Sequence, residues 1–192
     1  MNPSLPEQAK EVLDFWFGPV DEVRAEWFRK DAAFDAEIEL RFGTLIARAI
    51  AGELDSWQTL PDAALARIIV LDQFTRNTRR NRPDSFEGDA LALAGARAMV
   101  DAGFDLAVSP VRRVFVYMPF MHAEGLEFQD ECVRLFARLA KESPSAEGNL
   151  DFAQRHRAII ERFGRFPHRN AALGRASTPE EVEFLKQPGS GF

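Results

Sequence analysis

Apolar residues in this chain recur every three or four positions within stretches the length of ordinary helices, and nowhere alternate one by one long enough to read as a strand. That spacing confines the chain to helices that each bury one face. Val12, Leu13, Trp16 and Phe17 form the first stripe, after a capping-box pattern at Ser4-Leu5-Pro6-Glu7 and before the stop at Gly18-Pro19. A turn with Trp27 and Phe28 follows. Asp31 then caps a second helix (Phe34, Ile38, Leu45, Ile46, Ile50) that ends at Gly52. Pro61-Asp62 opens a third through Leu65, Ile68, Ile69, Leu71 and Phe74, apolar on so much of its circumference that it belongs at the centre.

The stretch from Arg76 to Asp84 reads as a loop, and Phe86 to Ala102 as a fourth helix closed by Gly103. A fifth element runs from Pro110 to Tyr117 and is broken by Pro119. A sixth helix runs from about His122 to Lys141, with Phe128, Cys132, Leu135, Phe136 and Leu139 on one side. Ser143 to Gly148 is a plain loop. Asn149 caps a seventh helix with Phe152, His156, Ile159, Ile160 and Phe163 on its stripe, and Thr178-Pro179-Glu180-Glu181 opens a short last one. The expectation is an all-α fold of about eight antiparallel helices without a sheet. It forms a single domain over residues 1–192, with 187–192 as a tail packed on the body. A tail of this kind frays unless held, so Phe192 is expected to insert between helices with its carboxylate on an Arg or a helix N-terminus.

Seventeen Phe and three Trp in 192 residues supply the bulk for one core. The net charge of −6 and a pI near 5.2 argue against nucleic acid or an anionic membrane as partner. The single Cys132 allows no intrachain disulfide, zinc ribbon or redox pair, which fits a reducing cytoplasm. No leader pattern opens the chain, and its longest apolar run, Val114 to Met121, is too short for a bilayer.

Asp72 lies seven residues after Leu65 and four after Ile68, so the helical period turns it inward with Arg76 one turn further on. A carboxylate there is either paired for packing or used for chemistry. His156 falls on the interior stripe of the seventh helix, where a neutral imidazole bonded to a carbonyl is the ordinary outcome. His122, which starts a helix with Glu124 two residues on, and His168, in Phe166-Pro167-His168-Arg169-Asn170, are the other imidazoles. Their wide spacing offers no preorganised metal ligands, and no phosphate loop, nucleophile elbow or reactive-Cys motif is present. Neither a metal nor a cofactor is expected. Arg76, Arg79, Arg80 and Arg82, like Arg155, Arg157, Arg162, Arg165 and Arg169, either coat a surface or frame an anion with their planar forks.

Four separated motifs, Val12-Leu13-Asp14-Phe15-Trp16-Phe17-Gly18, Leu71 to Asn77 (LDQFTRN), Tyr117 to Glu124 (YMPFMHAE) and Phe163 to Asn170 (FGRFPHRN), together resemble the bacterial domain of unknown function 924 family. The tail Pro188-Gly189-Ser190-Gly191-Phe192 is similar to that family's Pro-Gly-Ser-Ser-Phe ending. The chain departs from the family at Thr75, where Pro is usual, at Ala123, where Ser is usual, and at Gly191. The Ala123 difference removes a hydroxyl beside His122. The resemblance implies a tetratricopeptide-like helical fold and no established catalytic residues.

Three functions compete. The first is a binding module with an Arg- and His-lined cleft for a small anion or a peptide carboxylate, drawn from Arg76, Asn77, His156, Arg165, His168, Arg169 and Asn170. The second is an enzyme pairing Asp72 or Glu124 with His122 or His168 as acid and base. The third is a structural or self-assembly role, with Trp27 or Trp57 exposed on the contact surface. Oligomeric state is left open.

Overall fold

The computed structural model describes residues 4–27 and 29–191, and within them every regular element is helical. In chain order these are α1 (Glu7–Phe17), α2 (Ala32–Ile50), α3, α4 (Asp89–Asp101), α5 (Pro110–His122), α6 (Leu126–Glu142), α7 (Glu147–Phe163) and α8 (Pro179–Leu185). α3 is a composite rod: an α-helical start at Pro61–Ile68, a π-helical turn at Ile69–Phe74 and a last α-helical turn at Thr75–Thr78. Consecutive elements pack on one another from α3 through α7, while α1 and α2 close on α3 from the other side. Every residue from Ala63 to Thr75 is buried, so α3 is the central rod its wide apolar coverage demanded.

Two of the caps read from the sequence form as local chemistry dictates. The Asp31 carboxylate accepts from the Ala33 and Phe34 amides, and Thr178 and Glu181 complete a reciprocal capping box at α8. The pattern at Ser4 does not form one. α1 starts after Pro6 without a side-chain cap, and Asn149 lies inside α7, which begins two residues earlier behind a 3-10 turn at Pro144–Ala146.

Two boundaries move because tertiary packing outweighs local propensity. α3 continues through Thr78, followed by a 3-10 turn at Pro83–Phe86, so α4 starts only at Asp89. α5 runs straight through Pro119 to His122. A proline inside a helix removes one hydrogen bond and costs about 3 kcal/mol, but all residues from Arg113 to Met121 are buried, and that burial holds the helix together. His122 therefore ends α5 and does not begin α6.

The aromatic residues concentrate where α1, α2, α3 and α5 meet: Trp16 lies within about 6 Å of Trp27, Phe34, Phe74 and Phe115, ring centre to ring centre. Trp27 also donates its indole N–H to the Trp16 carbonyl at 2.9 Å. Trp27 and Trp57 are buried, which removes the exposed aromatics on which a self-assembly role rested. Phe152, expected on the interior stripe of α7, is 48% exposed, because the buried face is Ala153, His156, Ile159 and Ile160. Phe192 and Phe28 lie outside the described residues. No helix among those described is long and apolar enough to cross a membrane.

Candidate functional site

The π-helical turn of α3 is the origin of the site. A π turn pairs each carbonyl with the amide five residues on, so it carries about one extra residue per turn and shifts the side chains that follow it. Here the Leu71 carbonyl accepts from the Thr75 hydroxyl at 2.8 Å, and Gly88, at the start of α4, packs directly against it. The turn thereby presents Asp72 and Gln73, both buried, to the end of α5.

Asp72 Oδ1 lies 2.7 Å from His122 Nδ1 and 3.6 Å from an Arg76 guanidinium nitrogen, while its Oδ2 accepts from the Gln73 amide at 2.6 Å. Burial by itself raises the Asp72 carboxyl pKa. The adjacent His122 and Arg76 more than reverse this, so the group stays ionised far below the usual carboxylate range. The shared proton then resides on Nδ1 of His122. Burial, with Arg76 and Arg169 behind it, keeps the ring neutral, although Asp72 pulls the other way. Its Nε2 makes no hydrogen bond among the described residues, and 17% of the side chain reaches solvent.

α5 ends firmly. Gln129, buried on α6, donates to the carbonyls of Phe120, Met121 and Ala123, the groups a helix C-terminus leaves open. Two residues beyond His122, Glu124 accepts from the Phe166 amide at 2.8 Å and from both terminal nitrogens of Arg175 at 2.6 and 2.9 Å. That carboxylate ties the segment carrying His168 and Arg169 to the dyad.

Arg76 grips Asp89 with two bonds of 2.7 and 3.0 Å. Arg169 shares the same carboxylate through a single 3.4 Å contact from Nη1. Its guanidinium is sandwiched between Phe86 and Phe166, 4.9 and 4.6 Å from their ring centres. The Arg169 Nε is sealed from solvent without an acceptor, and Nη2 has none among the described residues. Burial, followed by repulsion from Arg76, pushes this guanidinium down to about 10.

His156 and His168 complete the surroundings. The former holds Phe152's carbonyl with Nδ1 at 2.8 Å, and both rings lie within 6 Å of the Phe166 ring. Burial is the main cause that lowers them to about 3 and about 4 respectively, so both are neutral at pH 7. The structure thus brings Asp72, Arg76, His122, His156, His168 and Arg169 into one neighbourhood. Glu124 joins it as a tether already committed to Arg175. Three other candidates are engaged elsewhere: Asn77 donates to Asp35 at 2.8 Å, and Arg165 and Asn170 hold Glu181 at the base of α8. Asp89, Gln73, Phe86 and Arg175 carry the site without any sequence signal; Asp89 reads only as an ordinary acid at a helix start.

Among the described residues no group of three His, Cys, Asp or Glu side chains could hold a metal ion. Two recesses lie away from the polar cluster: one of about 90 Å³ beside Trp27, Val114 and Ala146, the other of about 250 Å³ between Leu60 and Ala107.

The depressed imidazoles set an acid sensitivity with a definite sign. His156 takes up a proton near 6.5 when unfolded but only near 3 when folded, so between these values the unfolded chain binds more protons and stability falls as pH falls. At pH 5 this contribution amounts to about 2 kcal/mol. Denaturant unfolding at pH 7 and pH 5 should show that loss, and His156→Gln should remove most of its share; an equal loss in the variant contradicts the assignment.

The profile of a bacterial protein family of unknown function, DUF924, matches residues 12–189. A solved structure of the protein of unknown function ATU0120 from Agrobacterium tumefaciens is similar over 93% of this chain and 97% of its own, with 40% identity and a TM-score of 0.83. No curated protein matches.

Proposed function

The chain belongs to the bacterial DUF924 family, and we propose that it binds a small anionic ligand through Arg169. One observation carries this reading: a buried guanidinium with a single long contact to Asp89 and its Nε unsatisfied. A buried donor without an acceptor costs about 1–3 kcal/mol, more when charged, and a bound anion restores what is lost. Phe86 and Phe166 fix the plane of the fork before the ligand arrives, which reduces the ordering cost of binding. Phosphate, acetate and larger carboxylates should raise the melting temperature of the wild-type chain, and Arg169→Ala should abolish the rise. At a ligand concentration of about 100 Kd the stabilisation is about 2.7 kcal/mol. Equal shifts in both proteins would sink the reading.

The Asp72–His122 contact favours a second reading, an enzyme acting on the ligand so held. An ionised carboxylate on Nδ1 leaves Nε2 as the basic nitrogen of a partly exposed ring, the arrangement that lets imidazole take a proton from water or substrate. Hydrolysis assays on carboxylate-bearing esters and amides, with His122→Gln as control, test it. Turnover that survives the substitution would remove His122 from the chemistry.

A further inference from the structure

Resting on His122 as the base of the second reading, we infer that Gln129 is the positioning residue that holds this imidazole against Asp72. α5 has a weak point just before its end. Pro119 has no N–H for the Phe115 carbonyl, so the turn that finishes at His122 has one backbone bond fewer to tie it to the rest of the helix. The carbonyls of a last turn are open in any helix, and this one needs a holder from outside it.

Gln129 is that holder. From the first turn of α6 its amide nitrogen reaches back to the carbonyls of Phe120, Met121 and Ala123, at 3.2, 2.8 and 2.7 Å. Two of these residues flank His122 directly, so its backbone is pinned from both sides. The bond from Nδ1 to Asp72 is 2.7 Å long, and a backbone shift of about 1 Å takes it beyond hydrogen-bonding distance.

Packing alone does not call for glutamine at this place. The side chain is fully buried, and its Oε1 is sealed without a donor among the described residues. A methionine or leucine of similar volume would carry no such cost. What an apolar residue cannot supply is the pair of N–H groups for the end of α5.

The charged groups acting on the His122 ring are Asp72 and Arg76 of α3 and Arg169 of the Pro167–Arg169 turn, and the rings of His156 and His168 feel its charge in turn. Burial is the largest influence and lowers its pKa. A ring released from this place returns toward the ordinary 6.5, and with Asp72 gone nothing fixes the proton on Nδ1.

Nitrogen NMR of the full chain labelled at histidine, with His122 assigned against His122→Gln, reads both the tautomer and the titration. Gln129→Met and Gln129→Leu should fold, lose the fixed Nδ1–H tautomer of His122 and raise its pKa toward 6.5. Leu135→Ala is the control, because it opens a cavity on the same helix: it should lower the melting temperature and leave the tautomer in place. Folded Gln129 variants with the wild-type tautomer and titration would overturn the inference alone. Loss of the tautomer in Leu135→Ala as well, or failure of both Gln129 variants to fold, would reduce Gln129 to one more support of the core and overturn it too. A wild-type chain without a proton on Nδ1 would remove the dyad, and the second reading would fall with it.

Discussion

Gly88→Ala is expected to destabilise the fold by more than about 3 kcal/mol, the largest effect of any single methyl group in this chain. The added Cβ would lie 2.0 Å from the Leu71 carbonyl oxygen and 2.8 Å from its carbon, contacts that backbone cannot yield by rotating a side chain. Gly88 has an ordinary right-handed φ of −81°, so conformational freedom is not what the position needs. Gly18, Gly103 and Gly164 are the opposite case, with positive φ and open space around the missing Cβ. Denaturant unfolding of Gly88→Ala measures the effect. A variant of wild-type stability would mean that α4 can slide off the π turn at little cost, and the close fit would lose its meaning.

Asp72→Ala is the second large effect. The carboxylate is buried and answers Arg76, His122 and Gln73 at once, so its loss leaves a guanidinium and an imidazole facing each other without an acid between them. Removing one member of such a buried set costs about 3–5 kcal/mol, most of it the penalty of the partners left behind. Asp72→Asn keeps the shape and separates charge from packing. It should recover part of the stability while raising no proton acceptor for Nδ1 of comparable strength. Equal stability of wild type and Asp72→Ala would show that Arg76 is satisfied by Asp89 alone.

Signals confined to a few residues were readable from the sequence, and signals that depend on distant packing were not. Asp31 and Thr178 cap helices because their oxygens meet amides two or three residues away. The inward turn of Asp72 follows from the 3.6-residue period alone. Pro119 misleads because its local cost is real, whereas the burial that overrules it comes from α3, α4, α6 and α7. The π turn has no signature of its own, since its six residues read as helix under either repeat. Of the site, the imidazoles and arginines were visible as residue types. Asp89, which Arg76 and Arg169 share and which lies eighty positions from Arg169, was not.

The double attachment of Glu124 also makes one carboxylate answer for two ties. Asp72 and His122 belong to rods whose positions follow from the helical core. Arg169 and His168 lie on a segment held by little regular structure beyond one 3-10 turn and docked through Phe166 and Arg175 onto one carboxylate. Loss of the Glu124 carboxylate would release both ties at once and leave Arg169 with Asp89 and the rings of Phe86 and Phe166.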